Sequence, residues 1–233
     1  VFAPVYESSG GTDGFVSVEV DPNLALDEAG TLVAGQHLWD TVHRANLMVK
    51  IPATQPCIPA IRAMIAAGRN VNVTLIFSLE RYQKVMDAYI DGLEDRIAAG
   101  QSIDEIASVA SFFISRVDSE VDARLEALGT SEALSLRGKS AIAQAVLAYE
   151  AFQTTFSGPR WNALLEQGAK VQRPLWASTS TKNPDYPDTL YVDQLIGPHS
   201  VNTLPDATME AFSDHGSIAE TITNNVDGAR KVL

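Results

Sequence analysis

The chain has 233 residues, 45% of them hydrophobic, with 17 basic against 29 acidic side chains, a formal net charge of −12 and one cysteine, Cys57. That length suits one sizeable core, so residues 1–233 read as one soluble globular domain. The charge argues against nucleic-acid and membrane-surface partners, and one cysteine excludes an intrachain disulfide. No Cys/His grouping has metal spacing and no apolar run reaches the roughly 18 residues of a membrane span, so a reducing, cytoplasmic setting is expected.

In chain order, VFAPVYESSGGTDG (1–14) reads as the tail of a helix running into a glycine-rich turn. Six short runs then carry strand character: FVSVEV (15–20), LMVKIPA (47–53), VNVTLIFS (71–78), SFFISRV (111–117), RPLWASTS (173–180) and the weaker VNTLP (201–205). Between them, residues 25–45, 57–68, 78–100, 119–129, 138–156 and 161–169 place apolar residues at helical spacing. Strands alternating with helices imply parallel pairing, because crossovers of this length do not make hairpins. The apolar runs imply that both faces of the sheet are covered, leaving a doubly wound sheet or a (β/α) barrel.

The polar exceptions favour the barrel. With period-two alternation one face collects Ser17, Glu19, Asp21, Lys50, Asn72, Thr74, Ser115, Ser178 and Ser180, while Val16, Val18, Val20, Val49, Ile51, Val73, Leu75, Phe112, Ile114 and Leu175 take the other. A barrel gathers such side chains at its C-terminal mouth, the catalytic end of that fold.

Lys50 interrupts an otherwise apolar strand. It is either one half of an ion pair with Glu19 or Asp21, or snorkels to water, or is a Schiff-base lysine, whose neutral amine attacks a carbonyl. Glu19 would then be its general acid/base, with Thr74 holding a water and Asn72 a substrate hydroxyl. WASTSTKNPDYPD (176–188) reads as a loop or as a phosphate cradle with Ser178, Ser180 and Lys182 as donors and Arg116, next to Ser115, as a second cation.

Other motifs carry little. GKS (138–140) has Ala133 where a phosphate loop needs glycine, the Asn72-Val73-Thr74 sequon falls in a buried strand, and the four histidines are scattered. No nucleophile elbow or dinucleotide fingerprint is present.

Together, FVSVEVDP, NLMVKIPAT, NVNVTLIFSLERY, SFFISRVDSEVD, the SGPRW turn and RPLWASTSTKNPDYPDTLYVDQLIGPHSVNTLP resemble transaldolase, in particular its long bacterial form, from about residue 2 to the last. The resemblance implies a (β/α)8 TIM barrel of the class I aldolase type. It implies transfer of a dihydroxyacetone unit from sedoheptulose 7-phosphate to glyceraldehyde 3-phosphate, in the pentose phosphate pathway. By the same match Lys50 forms the Schiff base, Glu19 is the acid/base, Asn72 and Thr74 supply the amide and the water-holding hydroxyl, and Ser115 and Ser178 touch substrate and phosphate. No metal and no organic cofactor are implied. Cys57 stands where the family usually has glycine, and Arg116 is displaced from the phosphate arginine of shorter relatives. Six strands against the family's eight give the expectation of an incomplete barrel of about six β/α units, its first two units lying before Val1 and its last helix cut short. Two other readings fit the same residues: a fructose 6-phosphate aldolase-like lyase, and a non-catalytic remnant that binds sugar phosphates.

Overall fold

The structure, a computed structural model, describes residues 1–233. Its elements in chain order are α1 Ala3–Ser8, β1 Val16–Glu19, α2 Glu28–Val42, β2 Leu47–Pro52, α3 Ile58–Ala66, β3 Val71–Ile76, α4 Leu79–Ala98, β4 Ser108–Phe113, α5 Ser115–Leu128, α6 Ser131–Ser135, α7 Ser140–Thr155, α8 Pro159–Leu165, β5 Arg173–Ala177, α9 Leu190–Asp193, β6 Val201–Asn202, α10 Asp206–His215 and α11 Val226–Val232. The strands are neighbours in chain order, β1 to β6, in one six-stranded sheet. All six expected runs supply a strand. No helix is long and apolar enough to cross a membrane.

Two compact units share the chain, the first made of residues 1–76, 80–110 and 155–172 and the second of 77–79, 111–154 and 173–233. In the first, β1 pairs with β2 and β2 with β3, all parallel, in a register that puts Glu19 beside Lys50, Lys50 beside Asn72, and Pro52 beside Thr74. Val49, Ile51, Val71 and Val73 are fully buried, as strands covered on both faces require. β1 departs from that expectation: it is the first strand of the order, pairs only with β2 in this unit, and Val16 is 43% exposed.

α4 lays Tyr82, Val85, Met86, Tyr89, Ile90 and Leu93 into this core at helical spacing. Its outer face is pinned by arginines: Arg62 of α3 reaches Asp91 and Asp95, and Arg160 of α8 reaches Asp91 and Glu94. Below the strands, Asn70 donates to the Ala45 and Leu47 carbonyls and accepts from Ala107 N–H, so one buried amide satisfies three backbone groups.

In the second unit β5 pairs parallel with β6. Trp176, 1% exposed, packs edge-on to Phe112 at 6.3 Å and donates from Nε1 to the Leu195 carbonyl at 2.9 Å. α7, rich in alanine, buries Ala141, Ala145, Ala148 and Tyr149. α5 stops at Gly129, whose φ of +65° suits the left-handed position that ends a helix.

The fourth strand lies three residues earlier than its run suggested. Ser115 and Arg116 are therefore not on a strand: Ser115 opens α5. Ser108–Ala110 have small side chains with little strand propensity, and they are held in the strand by pairing and by Ser108, which donates from Oγ to the Val71 carbonyl at 2.7 Å. Ser178 and Ser180 likewise lie beyond β5. Leu75, expected on the apolar face, is 38% exposed because its φ is +60°, which turns the chain just after Thr74.

Candidate active site

In the first unit the lysine that breaks the apolar run has one carboxylate partner. Lys50 Nζ donates to Glu19 Oε2 at 3.0 Å, across directly paired positions of neighbouring strands. Of the two acids on that face, Asp21 turns away and caps the short turn at Pro22–Leu24 by accepting from Asn23 N–H at 2.8 Å. The Lys50 and Glu19 side chains are 29% and 45% exposed, so the pair is open to solvent although Val49 and Ile51 on either side of the lysine are fully buried. Such a pair is accessible to a small ligand, and its contribution to stability is small.

Asn72, the register partner of Lys50 on the other side, donates from Nδ2 to Ser17 Oγ at 2.9 Å. Thr74, two positions on, is 1% exposed and its Oγ1 is buried with no hydrogen-bond partner from the protein. A buried hydroxyl left unpaired costs about 1–3 kcal/mol.

Beyond Lys50 the chain turns through Gln55–Cys57 into α3. Cys57, fully buried, sits with Sγ 3.4 Å from the Ala25 carbonyl and 3.5 Å from Thr31 Oγ1.

In the second unit, Ser115 Oγ and Ser178 Oγ are 2.9 Å apart, and the Ser115 backbone N–H donates to the Ser178 carbonyl at 2.9 Å. Ser178 takes φ +58°, a left-handed conformation that costs a non-glycine residue on the order of 1 kcal/mol. Thr179, fully buried, holds the strand end by donating to Asn202 Oδ1 and to the Thr203 carbonyl. Lys182 Nζ donates to Ser180 Oγ at 2.6 Å. Arg116 stacks its guanidinium over the Phe113 ring at 5.0 Å. Four non-glycine residues take positive φ, His43, Leu75, Ser178 and His199; of these Leu75 adjoins Thr74 and Ser178 carries a candidate hydroxyl. Nothing in the residue types marks them in advance.

The structure thus groups Glu19, Lys50, Asn72 and Ser17 in one unit, with Thr74 next along, and Ser115 with Ser178, and Ser180 with Lys182, in the other. Two aspartates of α5 stand outside the residues that the sequence pattern singles out. Asp118 accepts from Tyr191 OH at 2.7 Å and from Ala141 N–H at 2.7 Å, and Asp122 from Tyr186 OH at 2.6 Å and Gly138 N–H at 3.0 Å. Burial raises the Asp118 carboxyl above the ordinary aspartate range, partly offset by those two donors. Their i, i+4 spacing was the available signal.

Repeated strand-helix units with polar side chains gathered at strand ends define an α/β protein built on a parallel sheet. The chain belongs to the transaldolase/fructose-6-phosphate aldolase family, whose model matches residues 2–233. Among curated proteins it is 57% identical to a transaldolase of Parafrankia sp. (strain EAN1pec), 55% to one of Thermobifida fusca and 54% to one of Mycobacterium marinum, each over the whole of this chain. It spans 63%, 64% and 63% of their respective lengths.

Proposed function

We propose that this chain carries the Schiff-base chemistry of a transaldolase, moving a dihydroxyacetone unit between sugar phosphates such as sedoheptulose 7-phosphate and glyceraldehyde 3-phosphate. The observation that carries the reading is the Lys50–Glu19 contact of 3.0 Å beside an unpartnered buried Thr74 hydroxyl, in a chain of this family. Lys50 passes a proton to Glu19, and its free amine adds to the C2 carbonyl of the donor. Glu19, through a water on Thr74 Oγ1, protonates the carbinolamine hydroxyl, which leaves as water and gives the iminium. The iminium is the electron sink: as a general base takes the C4 hydroxyl proton the C3–C4 bond breaks, releasing an aldehyde and leaving an enamine; the enamine attacks the acceptor aldehyde, whose oxygen takes the proton back, and water hydrolyses the product iminium to free Lys50. No metal or organic cofactor enters these steps.

For the second unit we propose that Ser115 and Ser178 touch substrate and that Ser180, Lys182 and Arg116 serve its phosphate. The Ser115–Ser178 contact and the lysine on a strand-end loop support this assignment. The family match and the chain-ordered strands support a (β/α) barrel of the class I aldolase type as the architecture these units belong to, and a cytoplasmic setting is proposed with it.

Borohydride reduction of the purified protein with fructose 6-phosphate tests the reading. Mass spectrometry is expected to find a dihydroxyacetone- or hexose-phosphate-derived adduct on Lys50. Label on another lysine, or none, overturns it. Free dihydroxyacetone released in place of transfer to an acceptor would move the chain to the aldolase side of its family.

A further inference from the structure

The acids of α5 form a stripe. Asp118, Asp122 and Glu126, spaced i, i+4 and i+8, line one cavity of about 210 Å³ together with Lys182, Tyr186 and Tyr191. A lysine that shares a cavity with three carboxylates is open to capture by one of them, and an ammonium held in an ion pair is less available to a phosphate. In this structure Lys182 donates instead to Ser180 Oγ, a neutral acceptor that yields easily to an anion.

Each acid of the stripe already has its own donor. Tyr191 OH and Ala141 N–H take Asp118, Arg137 takes Glu126 at 2.7 Å, and Tyr186 OH and Gly138 N–H take Asp122. The Tyr186 contact depends on a close approach: Gly138 has φ +69°, and a Cβ there would lie 2.8 Å from the Tyr186 ring. Any larger residue would push the ring off the backbone and its hydroxyl off Asp122. Burial first, and then the bond to Asp122, push the Tyr186 hydroxyl up to about 12, so it stays a donor across the working pH range.

We propose that Tyr186 is a positioning residue that keeps Lys182 available to the substrate phosphate by occupying the Asp122 oxygen that would otherwise bind the ammonium. The proposal rests on the assignment of Lys182 to phosphate made above and goes beyond it by naming what keeps that lysine free.

Three variants of the full chain test it with fructose 6-phosphate as donor and inorganic phosphate as competitive inhibitor. Lys182→Met is expected to raise KM and the phosphate inhibition constant. Tyr186→Phe is expected to raise both about tenfold with kcat within about twofold, the weight of one charge contact. Tyr186→Phe combined with Asp122→Asn is expected to return both to within about threefold of the parent, because the competing charge is gone. Unphosphorylated fructose should show no change in kcat/KM with Tyr186→Phe. If Lys182→Met is neutral, the phosphate assignment fails and the proposal with it. If Lys182→Met is impaired while Tyr186→Phe is neutral, the shielding role alone is overturned. A double variant as poor as or poorer than Tyr186→Phe, or an equal loss with fructose, shows that the tyrosine only braces the loop, and overturns the shielding role too.

Discussion

Glu19 and Lys50 occupy directly paired positions on adjacent parallel strands, and their side chains meet at 3.0 Å. Parallel pairing holds the two backbones about 4.8 Å apart, so the carboxylate and the ammonium reach each other without help from a flexible loop. In the proposed mechanism this places the proton acceptor within one hydrogen bond of the nucleophile before substrate arrives, which lowers the orientational cost of the first proton transfer.

Glu19→Gln keeps the size and the hydrogen-bonding oxygen but cannot take the proton. Loss of a positioned acid/base is expected to lower kcat by about 10² to 10⁴, while borohydride still labels Lys50, more slowly. Stability is expected to change by no more than about 1 kcal/mol, since both side chains are partly exposed and solvent screens the pair. Steady-state rates and urea denaturation check the two halves. An undiminished kcat would remove Glu19 from the mechanism.

Lys50→Arg separates charge from nucleophilicity. The guanidinium preserves a contact with Glu19 yet stays protonated, so no imine forms. Turnover is expected to fall by at least about 10⁴, the scale seen when a covalent nucleophile is removed, and label at position 50 to vanish. Retained turnover would exclude a covalent route through this residue.

The legible part of this fold was the part written in hydrophobic pattern. LMVKIPA and VNVTLIFS announce buried strands because Val, Ile and Leu dominate them, and Lys50 stands out because an ammonium there needs a reason. The same pattern misleads at β4, where SFFISRV looks more strand-like than the small residues Ser108–Ala110 that actually pair, so it puts Ser115 and Arg116 on a strand although they lie in the first turn of α5. The pairing of Tyr186 with Asp122, 64 positions apart, leaves no local trace. Nor does the positive φ of Ser178, which is imposed by Thr179 and the backbone bonds to Ser115 rather than by its own residue type.

His215, at the end of α10, faces Asp188 through Nε2 at 2.8 Å and Asp214 through Nδ1 at 3.1 Å. Hydrogen bonds to Asp188 and then Asp214 hold its pKa above the ordinary value of 6.5, and His215 in turn holds Asp188 below 3.8. A histidine raised on folding stabilises fully below its unfolded pKa and ceases to do so as pH rises through the folded one. The Asp188 half of the pair fails only as pH falls through the lowered carboxylate value. The melting temperature of the protein minus that of His215→Gln is therefore expected to be largest between about pH 4 and 6.5 and to shrink above that window. A difference flat from pH 4 to 9 would show that the charge of His215 contributes nothing to stability.

Thr74 offers a test in which stability and activity move apart. Its Oγ1 is buried and lacks a protein partner, so the fold carries the desolvation cost of a hydroxyl without a compensating bond. Thr74→Val removes the hydroxyl at nearly constant shape, and the melting temperature is expected to hold or rise, by up to about 1–3 kcal/mol in stability. If the hydroxyl instead holds the water through which Glu19 reaches the carbinolamine, its loss is expected to slow imine formation about 10- to 100-fold, on the scale of one misplaced proton relay. Rapid mixing followed by borohydride quench measures that step directly. A destabilised Thr74→Val would mean that the hydroxyl is satisfied within the fold, and a stable variant with unchanged imine formation would mean that the water, if present, is held elsewhere. Only the combination of a stable protein and a slow imine supports a hydroxyl kept for chemistry against the interest of the core.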